Sequence, residues 1–386
     1  MTEKKQNTHR RLPICTLGAD GHGKTTLTAA IAKVVSRIGA IHTNGDSNFE
    51  AQPRINHPIR EGVGITYRRI AYETSGKLYT HIDCETHLDV VKMLISGSPA
   101  IQGGIWIVNA VEGVTRDSQA HLNLAHQMHL PTVVSFLNTG GIPKDDELLD
   151  ICLQEMNELL SECGWGEETA PIIVGDAQKA LDYRGNSITF AQWQPIVDLV
   201  FAMNRTMPVP IDTENLPVIM PIHEIVEEAK DRVSVRGEVV QGHLAVGQAV
   251  DIVGKGDRIK THVLSTRGDE VSVESEPDWL SVGQVLCPPK TIKSHTEFTA
   301  LIYLLTHEES GTHIPLIEND RPDIHLWNVD MPAHLKLPAD LSLMTPGDYA
   351  HVNLTLDLPL AMEVGTRFEI KKMDSRIGLG VVTGME

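Results

Sequence analysis

The chain has 386 residues, with 33 Lys and Arg against 51 Asp and Glu, a formal net charge of −18. That length exceeds one ordinary core and predicts two or three domains, while 41% hydrophobic and 22% charged residues exclude a disordered chain. The acidity argues against a protein that coats DNA or a membrane, either of which needs a broad basic face, but it leaves room for a local basic groove.

The first half alternates short apolar runs with helical patterns, which predicts a mostly parallel sheet wrapped by helices. Candidate strands are 12–17, 78–83, 104–110, 132–138 and 171–175. After the first of them, Leu27, Ala30, Ile31, Val34 and Val35 recur with helical spacing. Residues 65–73 and 77–83, joined by Thr74-Ser75-Gly76, predict an antiparallel hairpin. The character changes near Met207, where a proline-punctuated acidic stretch ending at Pro217 predicts a linker. Beyond it, short alternating runs at 233–240, 249–253 and 351–356 predict all-β modules, with a second break around 287–296.

The sharpest motif is Gly18-Ala19-Asp20-Gly21-His22-Gly23-Lys24-Thr25, a GxxxxGK[ST] run that follows a strand and opens a helix. Its glycines let backbone N–H groups wrap phosphates, and the helix N-terminus adds a favourable dipole. Lys24 is placed to bridge phosphate oxygens and Thr25 to ligate Mg²⁺ through its hydroxyl.

Around that loop the match widens. The run 21–31, Gly64-Ile65-Thr66, His81-Ile82-Asp83-Cys84-Glu85-Thr86-His87 and Gly175-Asp176-Ala177-Gln178-Lys179 together resemble bacterial elongation factor Tu. The resemblance continues through Pro221-Ile222, Val246-Gly247, 251–254, 283–286, 290–293, 346–348 and 378–382, so it spans nearly the whole chain. It implies an α/β P-loop GTPase domain over 1–208, a mostly parallel sheet with helices on both faces. A shortened β-barrel over 209–290 and a second β-barrel over 291–386 would follow. The implied cofactors are GTP or GDP with Mg²⁺. The implied nucleotide-binding residues are Asp20, Gly21, His22, Gly23, Lys24, Thr25 and Thr26, with Asn138, Asp176 and Ala177 at the base. By the same resemblance Thr25, Thr66 and Asp83 hold the metal, and His87 places the attacking water.

The departures are as informative. The family's Asp-Cys-Pro-Gly-His reads Asp83-Cys84-Glu85-Thr86-His87 here, and β-branched Thr86 resists the positive φ that the glycine permits. Asp20 stands where the family has an apolar gate residue, and is expected to pair with His87 and hold it protonated. The family's Asn-Lys-x-Asp becomes Asn138-Thr139-Gly140-Gly141, which deletes the carboxylate that reads guanine; Asp176 is a candidate substitute. His223 and Val226 replace an acidic and an aromatic residue at the aminoacyl pocket, Val90 and Met93 replace contacts to the acceptor stem, and the segment 254–283 is trimmed. Single-stranded ends need stacking and specific hydrogen bonds, so these losses weigh against aminoacyl-tRNA as a partner.

Smaller signals are bland. His121, His126 and His129 do not share one helix face, which argues against a metal site. The acidic run at 144–150 is expected to charge the first turn of a solvated helix. The five cysteines form no CxxC pair, and no run approaches 18 apolar residues, so a reduced cytoplasmic protein without DNA or membrane partners is expected. The function implied is a monomeric translational GTPase that binds GTP with Mg²⁺, hydrolyses it and meets the ribosome, with a role in aminoacyl-tRNA delivery or translation elongation. The alternative is a diverged paralogue with relaxed base specificity and weakened switching, acting as a nucleotide-binding regulator, decoy or scaffold.

Overall fold

The structure, a computed structural model, describes residues 11–37, 52–60, 62–74, 76–142, 147–166, 168–184, 191–210, 216–229 and 232–385. It divides into two compact units, Met1–Ile211 and Asp212–Glu386.

In the first unit the strands are β1 (Arg11–Leu17), β2 (Ile55–Arg60), β3 (Val63–Glu73), β4 (Leu78–Cys84), β5 (Gly103–Asn109), β6 (Val133–Asn138) and β7 (Ile172–Gly175). The helices are α1 (Lys24–Arg37), α2 (His87–Ser96), α3 (Arg116–Gln127), α4 (Glu147–Glu162), α5 (Ala177–Asp182) and α6 (Gln194–Thr206). One sheet runs in the order β2-β3-β4-β1-β5-β6-β7. Its β4, β1, β5, β6 and β7 are parallel neighbours, whereas β2 and β3 add an antiparallel edge. Strands β1, β5 and β6 are almost wholly buried, so they read as continuous apolar runs and not as alternating ones. Leu27, Ala30, Ile31, Val34 and Val35 form the inward stripe of α1 and join Ile14, Ile107, Phe136, Trp193 and Leu199 in one core. Because those five strands run the same way, the loops after β1, β4, β6 and β7 emerge at one end of the sheet, where doubly wound folds bind ligands.

The predicted hairpin is present, with Glu73 opposite Leu78. It gains β2 as a third strand, pairing Thr66 with Asn56, which the sequence did not suggest. Pro58 lies within β2 and argues against a central strand, but β2 is the sheet edge, where proline is tolerated. Much of the acidic run at 144–150 and of the 207–217 linker falls outside the described residues; α4 does begin with Glu147 and Asp150 in its first turn.

The second unit contains the two expected β modules. The first is a seven-stranded antiparallel sheet around Val233, Val235, Val250, Ile252, Val263, Val271 and Leu286. The predicted strand at 233–240 stops at Arg236. The second module is a closed six-stranded barrel built from Lys293–Leu304, Asp323–Leu326, Val329–Lys336, Tyr349–Met362, Arg367–Lys372 and Ser375–Met385. Along Tyr349–Met362 exposed and buried residues alternate over 351–357, the signature of a strand with one face on the core.

The modules meet over Ile219, Val253, Val285, Cys287, Ile292 and Ala361, with Trp327 donating from Nε1 to the Ala361 carbonyl at 2.7 Å. Asp251 clamps the connection. It is 2% exposed, pairs with Arg258 at 3.0 Å and accepts the Lys290 N–H at 2.9 Å, while Arg258 donates to the Ile292 carbonyl at 2.9 Å. Among the described residues no helix is long and apolar enough to cross a membrane.

Removing one partner of a buried ion pair strands the other and leaves N–H groups unmet. Asp251→Ala is expected to destabilise the second unit by about 3 kcal/mol, read as a lower urea midpoint in that unit's transition. An unchanged midpoint would show that the clamp contributes nothing.

Candidate nucleotide site

The chain leaves β1 at Leu17, turns through residues 18–23 and enters α1 at Lys24. Two glycines make the turn possible. At Gly18 (φ 144) a Cβ would collide with the Ile107 carbonyl, and Gly23 (φ 95) lies against the Asn138 amide. Lys24 is 6% exposed, and its ammonium donates to the carbonyls of Gly18 at 3.0 Å and Ala19 at 3.1 Å and to Asp20 Oδ1 at 2.9 Å. An ammonium has three hydrogens, and here all three have an acceptor. Thr26 lies beside Thr25 in the first turn of α1, half-buried. His22 is fully buried, with Nδ1 3.3 Å from the Ile107 carbonyl and Nε2 3.6 Å from Glu112. Burial pushes its pKa down.

Beside the loop, Thr25 Oγ1 donates to Asp83 Oδ2 at 2.8 Å. Asp83 is 3% exposed, and its other oxygen is buried without a hydrogen-bond partner. Burial pushes its carboxyl up to about 6, against the Thr25 hydrogen bond and the Lys24 charge. A cavity of about 220 Å³ is lined by Thr25, Arg54, Thr66, Tyr67, Arg68, Asp83 and Glu85. The three residues expected to hold Mg²⁺ therefore line one cavity. Hydroxyl and carboxylate oxygens are the hard donors that this ion takes, and the orphaned Asp83 oxygen fits a metal or its water. Thr66 is held from behind, its backbone N–H donating to Asp89 Oδ1 at 3.1 Å.

Between β4 and α2, Thr86 is extended (φ −120°, ψ 162°) and caps α2. Its hydroxyl accepts the Asp89 N–H at 3.1 Å, and Asp89 Oδ2 accepts both the Thr86 hydroxyl at 2.7 Å and the Thr86 N–H at 3.3 Å. This reciprocal capping box commits the Thr86 amide to its own helix. The β-branch that the sequence flags is thus only part of the constraint.

His87 follows as the first residue of α2, its ring stacked on His121 with centroids 4.6 Å apart and planes 20° apart. Burial pushes the His87 pKa down, with Asp117 and Asp20 pulling the other way. The expected Asp20–His87 ion pair is therefore a misreading: Asp20 lies on Lys24, and His87 is biased towards the neutral imidazole.

The spacing of His121, His126 and His129 argues against a metal site but says nothing of where His121 lies, and among the described residues no cluster of three or more His, Cys, Asp or Glu is arranged to hold a metal. His121 is in fact fully buried, and its Nδ1 accepts the Gly18 N–H at 3.0 Å. The overlooked signal is its place on the inward stripe of α3 with Ser118, Leu122 and Ala125. His81 is also buried, with Nε2 2.6 Å from Thr16 Oγ1 and Nδ1 3.2 Å from the Tyr72 hydroxyl. Its pKa falls to about 3 through burial.

At the base end, Asn138 joins three loops: its Nδ2 donates to the His22 carbonyl at 3.3 Å and its Oδ1 accepts the Ala177 N–H at 3.2 Å. Gly140 (φ 58) and Gly141 (φ 92) form the turn that follows. A side chain at 141 would meet open space, but the backbone there is one that L residues rarely adopt, so the missing carboxylate is built into the turn. Asp176 does not stand free to replace it. One oxygen caps α5 through the Lys179 N–H at 2.9 Å, and the other lies 3.2 Å from Lys179 Nζ.

A glycine-rich strand-to-helix loop, a hydroxyl–carboxylate pair beside it and two β modules later in the chain define a P-loop GTPase of the translational class. A family model described as elongation factor Tu GTP binding domain matches residues 9–229, and one described as elongation factor Tu C-terminal domain matches residues 291–386. The first match alone covers more than half of the chain, and the chain belongs to the elongation factor Tu family of translational GTPases.

Burial, with smaller contributions from the His87 and Lys24 charges, pushes the His121 pKa to about 3, below the unfolded value near 6.5. Between those values the unfolded chain binds the extra proton, so the stability is complete above about pH 6.5 and is lost as the pH falls. The fall in urea midpoint from pH 7 to pH 4 is expected to be smaller in His121→Asn than in the unsubstituted protein. Identical slopes would remove His121 from the account.

Proposed function

We propose that the protein binds a guanine nucleotide with Mg²⁺ at the β1–α1 loop and hydrolyses the triphosphate in a translation-elongation role. What carries this reading is the convergence of Thr25, Thr66 and Asp83 on one cavity beside Lys24. In it, the loop amides of 21–26 surround the phosphates and Lys24 turns its ammonium to phosphate oxygens. Thr25, Thr66 and Asp83 hold Mg²⁺, which when bound neutralises phosphate charge. His87, as a neutral imidazole, accepts a hydrogen bond from the attacking water and orients it. The Ala177 N–H, shared with Asn138, faces the base. In this reading 1–208 is the nucleotide domain, 209–290 a shortened β module and 291–386 the C-terminal barrel, and the ribosome is the partner that the family suggests.

A second reading has one observation in its favour. The Thr86–Asp89 capping box ties down the backbone amide that the resemblance makes the hinge of GDP/GTP switching. In that reading the protein is a nucleotide-binding regulator with a blunted switch, which does not deliver aminoacyl-tRNA.

The tests separate the two. GTP, GDP, ATP and XTP affinities are measured with Mg²⁺ and with EDTA. The first reading expects metal-dependent binding that Thr25→Ala weakens about tenfold or more, and hydrolysis that His87→Ala slows about 100-fold. Absence of binding to any of the four would sink it. GTP-dependent protection of aminoacyl-tRNA from deacylation would exclude the second reading. Thr86→Gly is expected to enlarge the difference between GDP- and GTP-bound proteolysis patterns, and no change would clear Thr86.

A further inference from the structure

The β1–α1 loop carries a feature that ordinary phosphate binding does not need. The third hydrogen of the Lys24 ammonium, the one not used by the loop carbonyls, is held by the Asp20 carboxylate at 2.9 Å. Asp20 lies between Ala19 and Gly21 (φ 86) where the His22 N–H closes the turn onto the Ala19 carbonyl at 3.3 Å. Its side chain is 62% exposed while that of Lys24 is 6% exposed, so the anion reaches in from solvent and can swing out again.

We propose that Asp20 is a specificity-determining residue that makes this site favour nucleoside diphosphates over triphosphates by occupying the lysine hydrogen a terminal phosphate needs. The inference rests on the nucleotide site proposed above. In loops of this type backbone amides cradle the inner phosphates, and the lysine reaches the β- and γ-phosphates. A diphosphate keeps the amides, which Asp20 leaves alone, and asks the lysine for one phosphate, whereas a triphosphate asks it for two. A terminal phosphate must displace one carboxylate oxygen and then remain beside the displaced negative charge. Repulsion between like charges a few ångströms apart is strong near a partly buried site.

The surroundings do not cancel that charge. Glu112 approaches the same loop, its Oε2 3.6 Å from His22 Nε2, and Asp117 acts on His87 together with Asp20. Two arginines line the neighbouring cavity. Arg54 is spent on Glu85 at 2.7 Å, and Arg68 stands opposite Asp83 in the β3–β4 register.

The experiment is calorimetric titration of the full chain, unsubstituted and as Asp20→Asn and Asp20→Ala, with GDP and with a non-hydrolysable GTP analogue in Mg²⁺ buffer. Asp20→Asn keeps the size of the side chain and removes its charge. Both variants are expected to tighten the triphosphate analogue about tenfold while moving GDP less than about threefold. In the unsubstituted protein the preference for GDP is expected to shrink as salt rises, since an exposed charge is screened. Equal gains for both nucleotides, or none, would overturn the role of Asp20 and leave the nucleotide site standing. Failure of all three proteins to bind either nucleotide would overturn the site and the inference together.

Discussion

A buried ammonium must have every hydrogen accepted, and that requirement at Lys24 organises the nucleotide end of this molecule. Two acceptors are carbonyls of the loop itself, which can point inward only because Gly18 lets the chain pass against Ile107. The Gly18 N–H then turns to His121 on α3, and His121 in turn stacks on His87 at the start of α2. Strand, loop and two helices are thus tied to one another through the surroundings of a single cation. The third acceptor is a carboxylate from the same loop, so a ligand meets a cation already partly neutralised.

Two of the departures from the family pattern, at Thr86 and at Gly140-Gly141, lie where the backbone itself is committed. At Thr86 a capping box engages hydroxyl, amide and Asp89 carboxylate at once, so a peptide flip there would break several hydrogen bonds together. At Gly140-Gly141 two successive positive φ angles shape a turn that an aspartate would strain. Restoring a family residue at either place is therefore a change of backbone as well as of side chain. By contrast the Thr25–Asp83 pair is a side-chain contact that leaves one buried carboxylate oxygen orphaned.

Three histidines around the loop, His22, His81 and His121, are fully buried and biased towards the neutral form, with burial as the leading cause. Neutral imidazole both donates and accepts, which suits positions between backbone groups and hydroxyls. Thr16 and Tyr72 contact opposite nitrogens of His81 in this way, and Thr28 carries the network on to the Lys24 carbonyl at 3.0 Å. Around His81 the polar side chains beneath the loop therefore satisfy one another, whereas Nε2 of His22 and Nε2 of His121 are buried without a hydrogen-bond partner.

Much was decided by sequence alone. Doubly buried strands read as apolar runs, α1 as a helical stripe, the second unit as alternating β texture and the loop as a glycine-spaced motif, because each depends on local period or on the φ freedom of glycine. That Thr25, Thr66 and Asp83 stand together was legible too, through their fixed places in the family pattern, and they line one cavity. What only the tertiary structure decided were the pairings among distant or competing polar groups. Asp20 was expected on His87, but buried Lys24 holds it, and desolvation biases His87 towards the neutral form. His121 lies 103 residues from Gly18, and Asp176 caps its own helix. Edge strand β2 was hidden for a related reason: a proline is forbidden or harmless there according to which neighbour the sheet places beside it, and that is a property of the assembled fold.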